Sequence, residues 1–231
     1  MMSDAPVAMI SGANRGIGAS IADTLLAAGW RVSLGCRTPP SERPESADWL
    51  SYHYDAFDAA SGQAWVDQTL RTFGRLDALI NNAGILSQST VLEASGDEFD
   101  HVMAVNARAP MLLTQQAWPH LVAAEQGKVI SIVSLSGLRV RSAASGLYAM
   151  SKFAAQAFVH GLRHCTAETR VRATAICPGF VATDMAAAAQ VDGASVTQPE
   201  EVARVVQMLL TLPPSAGVAT VPINWQIEDA I

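Results

Sequence analysis

The sequence predicts an α/β domain in which a parallel sheet of about seven strands is covered by helices. Three observations point there. Short apolar, β-rich runs alternate with longer segments of helical periodicity from the first residues to near the last. The 231 residues are 50% hydrophobic and only 16% charged, a balance that supplies a sizeable core. No Pro/Ser/Gly-rich linker divides the chain, so one domain over residues 1–231 is expected.

The strands and helices follow in order. Val7–Ser11 reads as the first strand and Ile17–Ala28 as the first helix, stopped by Gly29. Arg31–Gly35 is the second strand, and Arg37–Asp48, with three prolines, is a loop. Leu50–Tyr54 then leads to a helix over Gly62–Phe73, with Ser61 as its start and Gly74 as its stop. After the strand Ala78–Asn81 come helices Asp97–Val105, opened by Ser95, and Ala107–Ala124, closed by Gly127. Strand Lys128–Ser134, helix Tyr148–Ala167 and strand Arg172–Cys177 complete the regular alternation. Asp184–Val196 is Ala-rich and reads as either helix or lid, and a substrate lid is placed at 184–198. Gln198-Pro199-Glu200 opens the helix Glu200–Leu210, and the weakest strand signal is Val218–Pro222. There are no internal repeats.

Composition narrows the function. With 15 Lys+Arg against 21 Asp+Glu, the net charge is −6 and no block of like charge stands out. That argues against nucleic acid or an anionic membrane as the main partner. No eighteen-residue apolar run is present, and MMSDAPVAMI lacks a basic segment ahead of an apolar one, so a cytoplasmic protein is expected. Cys36, Cys165 and Cys177 show neither C-x-x-C nor His-paired spacing. They are read as small apolar fillers, and no metal site is expected.

The segment SGANRGIG, Ser11–Gly18, joins the first strand to the first helix. Gly12 can leave the strand without a Cβ clash, while Gly16 and Gly18 let backbone N–H groups and the helix N-terminus approach a pyrophosphate. Dinucleotide sites place an acidic residue about twenty positions on, at the end of the second strand, to bind the ribose hydroxyls. Here Gly35, Cys36 and Arg37 carry no carboxylate, whereas Arg15 and Arg37 offer two guanidinium groups. Those groups suit a 2′-phosphate, so NADP(H) is favoured over NAD(H).

Tyr148 and Lys152 are spaced Tyr-x-x-x-Lys at the start of a helix, on one face of it. A phenol has a reference pKa near 10, and an ammonium beside it, with a nicotinamide cation, could lower it by favouring the phenolate. The phenol would then serve as a proton donor to a carbonyl at working pH. With three tyrosines and two lysines in the chain, the pairing is informative.

SGANRGIG (11–18), NNAG (81–84), the Asn in MAVNA (103–107), IVSLSG (132–137), YAMSK (148–152) and PGFVATDM (178–185) stand in the order and spacing of the short-chain dehydrogenase/reductase family. The resemblance runs from Ile10 to Met185, about three-quarters of the chain. It implies a Rossmann-type, doubly wound single domain that transfers hydride reversibly between a nicotinamide ring and a carbonyl or alcohol carbon.

The resemblance also implies roles by position. Tyr148 would be the general acid in reduction and the base in oxidation. Lys152 would hold the nicotinamide ribose and depress the Tyr148 pKa. Ser134 would bond the substrate oxygen, preferred over Ser136 on strand alternation and motif spacing, and Asn106 would hold a water that relays protons to Lys152. For the cofactor, Gly12, Asn14, Arg15, Gly16, Ile17 and Gly18 form the phosphate loop, with Arg37 beside the 2′-phosphate. Asp55 would contact the adenine with the Ala56 backbone beside it, and Asn82, Ala83 and Gly84 would lie along the adenosine ribose. Pro178, Gly179, Val181 and Thr183 would lie against the nicotinamide, the Val181 backbone reading the carboxamide. Helices Ala107–Ala124 and Tyr148–Ala167 resemble the family's subunit interface, implying a homodimer or homotetramer.

Two departures are visible. Ser11 stands where the family usually has Thr, and the ending GVATVPINWQIEDAI lacks the usual Gly-rich strand. The expected activity is that of an NADPH-dependent carbonyl reductase or alcohol dehydrogenase on a small carbonyl or alcohol substrate. An NAD-dependent alcohol dehydrogenase and a non-catalytic dinucleotide-binding sensor are the alternatives. The substrate pocket is assigned to Ser134–Leu147, Ile85–Val91 and Ala186–Ala189, mostly small and apolar residues. Arg139 and Arg141 in it could attract an anionic group or be solvated loop charges, and the second reading is preferred because nothing in the sequence fixes their direction.

Overall fold

A computed structural model describes residues 4–38, 46–188 and 192–227. Parts of the Pro-rich loop and of the expected lid lie outside those residues.

Seven strands form one parallel sheet: β1 (Val7–Ser11), β2 (Arg31–Cys36), β3 (Trp49–His53), β4 (Ala78–Asn81), β5 (Lys128–Ile132), β6 (Arg172–Pro178) and β7 (Thr220–Ile223), in the order β3-β2-β1-β4-β5-β6-β7. The order reverses between β1 and β4, and open α/β sheets bind ligands at such a point, at the carboxyl ends of the strands.

The strands between β1 and β6 carry apolar side chains on both faces. Ile10, Leu34, Ile80, Ile130 and Ile176 face one layer, where α1 (Gly16–Ala27) and α7 (Pro199–Thr211) pack on each other. Met9, Leu79, Val129, Ala175 and Cys177 face the other, which holds α2 (Ala59–Phe73), α4 (Ala109–Ala123) and α5 (Gly146–Cys165). The doubly wound sheet is therefore the one the alternation predicts. Trp65 of α2 seats tightly on β2: its indole N–H donates to Ser33 Oγ at 2.8 Å, and a Cβ on Gly35 would lie 2.4 Å from its ring.

Several boundaries differ from the sequence reading for physical reasons. α2 starts three residues earlier because Asp58, not Ser61, accepts from the Ala60 N–H at 2.9 Å. The two helices expected on either side of Asn106 are one continuous run. α3 (Gly96–Met103) passes through a π-helical turn (Ala104–Arg108) into α4. Gly127 lies past the end of α4, in the turn to β5, where a Cβ would strike the Leu121 carbonyl oxygen. β5 stops at Ile132, two residues short of the expected Ser134. The last strand starts two residues later than expected, and its Pro222 is tolerated because β7 is at the sheet edge. Asp184–Val196 opens as a short helix, α6 (Asp184–Ala188), followed by a 3₁₀ turn at Gly193–Ser195. Cys36 and Cys177 are buried fillers as read, but Cys165, at the end of α5, is exposed.

Candidate active site

The glycine loop leaves β1 with Gly12 at φ +66°, a conformation L side chains avoid, and a Cβ there would lie 2.9 Å from Ala83 Cα. Gly18 is buried, and a Cβ would meet the Gly12 carbonyl oxygen at 2.4 Å and Asn82 Nδ2 at 2.5 Å, so its missing side chain lets the start of α1 pack closely on the glycine turn and the Asn82 segment.

The start of α1 is left open. Its N-cap, Arg15, makes no side-chain cap, and its first turn carries no acidic residue, whereas α2 and α3 are capped by Asp58 and Ser95. An uncapped helix N-terminus reached by a glycine turn fits an anionic phosphate group. Asn14 and Arg15 are exposed there, and Ile17 is half-buried.

Ser11, passed over as a conservative departure, ties this loop to the next. Its hydroxyl accepts from the N–H groups of Asn82 and Ala83 at 3.0 and 3.1 Å, while Asn82 Nδ2 donates to the carbonyls of Ser11 and Gly12 at 2.9 and 3.0 Å. The Asn82-Ala83-Gly84 segment is thereby fixed beside the glycine turn. Beyond β3, Asp55 is half-buried and its carboxylate accepts from the Phe57 N–H at 3.0 Å, an Asx turn, with Ala56 in the bend.

Of the two arginines expected at a common phosphate, Arg15 is engaged elsewhere. Arg15 Nη1 pairs with Asp184 Oδ2 at 2.8 Å. Asp184 opens α6 beyond β6, on the opposite side of β1 from β2, so Arg15 reaches away from the strand that Arg37 follows. Arg37 is exposed, and its carbonyl bonds the His53 imidazole. α6 is held at both ends: Thr183 packs on Gly16, whose absent Cβ would lie 3.0 Å from Thr183 Cγ2, and Gln88 Nε2 donates to the Ala188 carbonyl at 3.3 Å. Val181 makes an isolated parallel bridge to Thr197, with its side chain in the core. Gly179 follows Pro178 at the end of β6 and packs so tightly that a Cβ would meet Asn224 Oδ1 at 2.4 Å.

Tyr148 and Lys152 sit one turn apart at the start of α5, both almost fully buried. The Lys152 ammonium lies 5.6 Å from the Tyr148 ring centroid and donates to the Ile132 carbonyl at 3.2 Å. The Ser134 side chain is near enough to the Tyr148 phenol to lower its pKa. Ser134 Oγ accepts from the Ser136 N–H at 3.0 Å, which orders the 3₁₀ turn Leu135–Gly137. Ser136 thus supports Ser134 through its backbone. Burial pushes the Tyr148 phenol up to about 12, against a lowering by Ser134, and pushes the Lys152 ammonium down to about 8, offset in part by Cys177. The lowered phenol pKa is expected from Lys152 together with a nicotinamide cation; in the protein by itself desolvation prevails.

Asn106, expected to be a water holder at a helix junction, has its side chain fully engaged. Oδ1 accepts from the Ile85 N–H at 2.9 Å, and Nδ2 donates to the Ile85 carbonyl at 2.9 Å and to Ser151 Oγ at 3.0 Å. Ser151 in turn donates to the Tyr148 carbonyl at 2.7 Å. The π turn, a feature frequent at functional sites, aims Asn106 inward to clamp the chain after β4 against the start of α5. Ser151 escaped sequence reasoning although it stands inside Tyr-x-x-x-Lys; its position three residues after Tyr148 was the available signal.

These side chains gather at the carboxyl ends of β1, β4, β5 and β6, with α6 tied to Arg15 and Gln88. A family model described as short chain dehydrogenase matches residues 6–193. Among curated relatives, the agropine synthesis reductase of Rhizobium rhizogenes is 38% identical over 220 residues, which are 92% of this chain and 51% of that protein. The chain thus spans about half the length of that relative. An uncharacterized oxidoreductase of Staphylococcus aureus (strain USA300) is 31% identical over 226 residues, covering 94% of this chain and 96% of the relative. Among solved structures, a short chain dehydrogenase from Burkholderia cenocepacia in complex with NADP superposes with a TM-score of 0.84 at 26% identity, covering 95% and 96% of the two chains. No helix among the described residues is long and apolar enough to cross a membrane. With a family model over most of its length and a relative above 30% identity matched nearly end to end, the chain belongs to the short chain dehydrogenase family.

Proposed function

We propose that the protein is an NADP(H)-dependent carbonyl reductase or alcohol dehydrogenase acting on a small carbonyl or secondary alcohol, with Tyr148 as the acid/base. The observation that carries this reading is the buried Tyr148–Lys152 pair, with half-buried Ser134 near the phenol, together with an uncapped, glycine-approached helix N-terminus. NADP(H), when bound, supplies the hydride in reduction and takes it back in oxidation.

The chain's own residues do the rest. The first turn of α1 and the glycine turn hold the diphosphate, and the segment from Asn82 to Gly84, fixed by Ser11, borders the adenosine ribose. The absence of a carboxylate at Gly35, Cys36 and Arg37, with Arg37 exposed, favours a 2′-phosphate over a bare ribose. Ser134 donates to the substrate oxygen and Tyr148 delivers the proton to it as the carbonyl carbon gains the hydride; oxidation runs the same transfers backward. A phenol held at about 12 keeps its proton at neutral pH, as an acid must, and loses it readily only when positive charge gathers near it. Lys152, with one N–H on Ile132, has others left for a ribose hydroxyl. Because the Asn106 side chain is engaged with Ile85 and Ser151, a water it holds would sit on its main-chain carbonyl.

Tyr148→Phe tests the reading. Turnover of NADPH with a panel of aldehydes, ketones and diones should fall by about 10²-fold or more while the cofactor dissociation constant stays within about twofold. Undiminished turnover would rule out this mechanism. A chain that binds the dinucleotide but reduces nothing on the panel would favour the sensor reading.

A further inference from the structure

We propose that Arg141 is an anion-binding contact of the substrate site, and that the substrate carries a carboxylate or phosphate several bonds from its reacting carbonyl. The proposal rests on the oxidoreductase reading of the same cleft and adds a substrate class to it. Arg141 lies in the stretch between the 3₁₀ turn Leu135–Gly137 and the one at Ala143–Ser145, seven residues before Tyr148.

The structure supplies what the sequence lacked, a fixed direction for this side chain. The guanidinium stands over the Phe180 ring, 5.8 Å from its centroid, and is not paired with any carboxylate among the described residues. Stacking on an aromatic face orders a guanidinium while leaving its N–H fork free in the ring plane, the edge that meets an anion bidentately.

Phe180 is itself tied to the reacting end. It follows Gly179, whose Cβ position lies 3.2 Å from Leu135 Cδ1, and Leu135 adjoins Ser134. That chain of contacts ties the Arg141–Phe180 pair to the segment that begins at Ser134. Val140, next to it in the chain, and Val91, which lies against the Gly146 position, are exposed apolar neighbours of this stretch. An unpaired cation beside apolar side chains suits a substrate with the carbonyl at one end and an anion at the other. In a protein of net charge −6 such a cation is not part of a general basic surface.

The test compares oxo acids of increasing chain length with their methyl esters, and with hydroxyketone phosphates, on the wild type and on Arg141→Ala. The wild type should prefer the acid or the phosphate over the ester by about tenfold or more in kcat/KM at one chain length, the two anions separating the carboxylate from the phosphate source. In Arg141→Ala that preference should vanish through a rise in KM for the acid and the phosphate. Direct calorimetric titration of the same acids and phosphates into the protein should show the same loss, independently of turnover. Equal handling of acid, phosphate and ester by the wild type, or a parallel loss on all of them in the variant, would overturn the anion contact while leaving the oxidoreductase reading intact. No turnover of any compound, with calorimetric binding of the anions still dependent on Arg141, would uphold the contact and remove the reaction. No turnover and no Arg141-dependent binding would remove both.

Discussion

At the scale of single residues, the site is a set of polar groups whose ionisation is governed by desolvation. Lys152 is the clearest case, because burial holds its pKa near 8, below the ordinary value of 10.5. The unfolded chain therefore binds more protons than the folded one between about pH 8 and 10.5, and stability from this group rises with pH across that window. Below pH 8 the cost of the buried ammonium is fully present. Lys152→Met removes it, so the variant should equal or exceed the wild type in stability at pH 7, by at most a few kcal/mol, while losing turnover. Urea titrations should show the advantage shrinking as pH rises from 8 toward 10. A difference independent of pH would mean that Lys152 is not held with a depressed pKa.

At the scale of elements, two short pieces position the site. The π turn converts what would be a junction between helices into a continuous run whose extra residue directs Asn106 onto Ile85. α6 is tied to the glycine loop by Arg15–Asp184, both side chains about 70% exposed (70% and 74%). An ion pair so exposed contributes little to stability, but it occupies the guanidinium that a 2′-phosphate would use. Asp184→Asn should therefore tighten NADP(H) binding by about two- to fivefold and leave NAD(H) unchanged, as read by fluorescence titration of the reduced cofactors. An equal change for both cofactors would assign the pair to lid closure alone, and Arg37 would then be left as the guanidinium for the phosphate.

At the scale of the whole molecule, the sheet leaves α4 and α5 with apolar side chains facing outward. Met111 is 38% exposed, Met150 47% and Phe153 43%. Met150 and Phe153 share a face of α5 at i, i+3, and exposed apolar side chains grouped on one face mark association surfaces. A homo-oligomer through α4 and α5 is the arrangement we expect, and Phe153→Glu should lower the mass measured by light scattering to that of a smaller species. An unchanged mass would place any interface elsewhere.

The sequence by itself determined the strand–helix alternation, the parallel sheet and the positions of the glycine loop and Tyr-x-x-x-Lys, because each is written in periodicity or in residues a few positions apart. It also located NNAG and the PGFVATDM segment at the ends of strands. Only the tertiary structure decided who meets whom: Arg15 with Asp184, 169 residues away; Asn106 with Ile85; Ser11 with Asn82; Arg141 with Phe180. Those pairings depend on how the sheet brings distant strand ends together, and so did the pKa values, since the burial that raises Tyr148 and lowers Lys152 belongs to the packed core rather than to either residue.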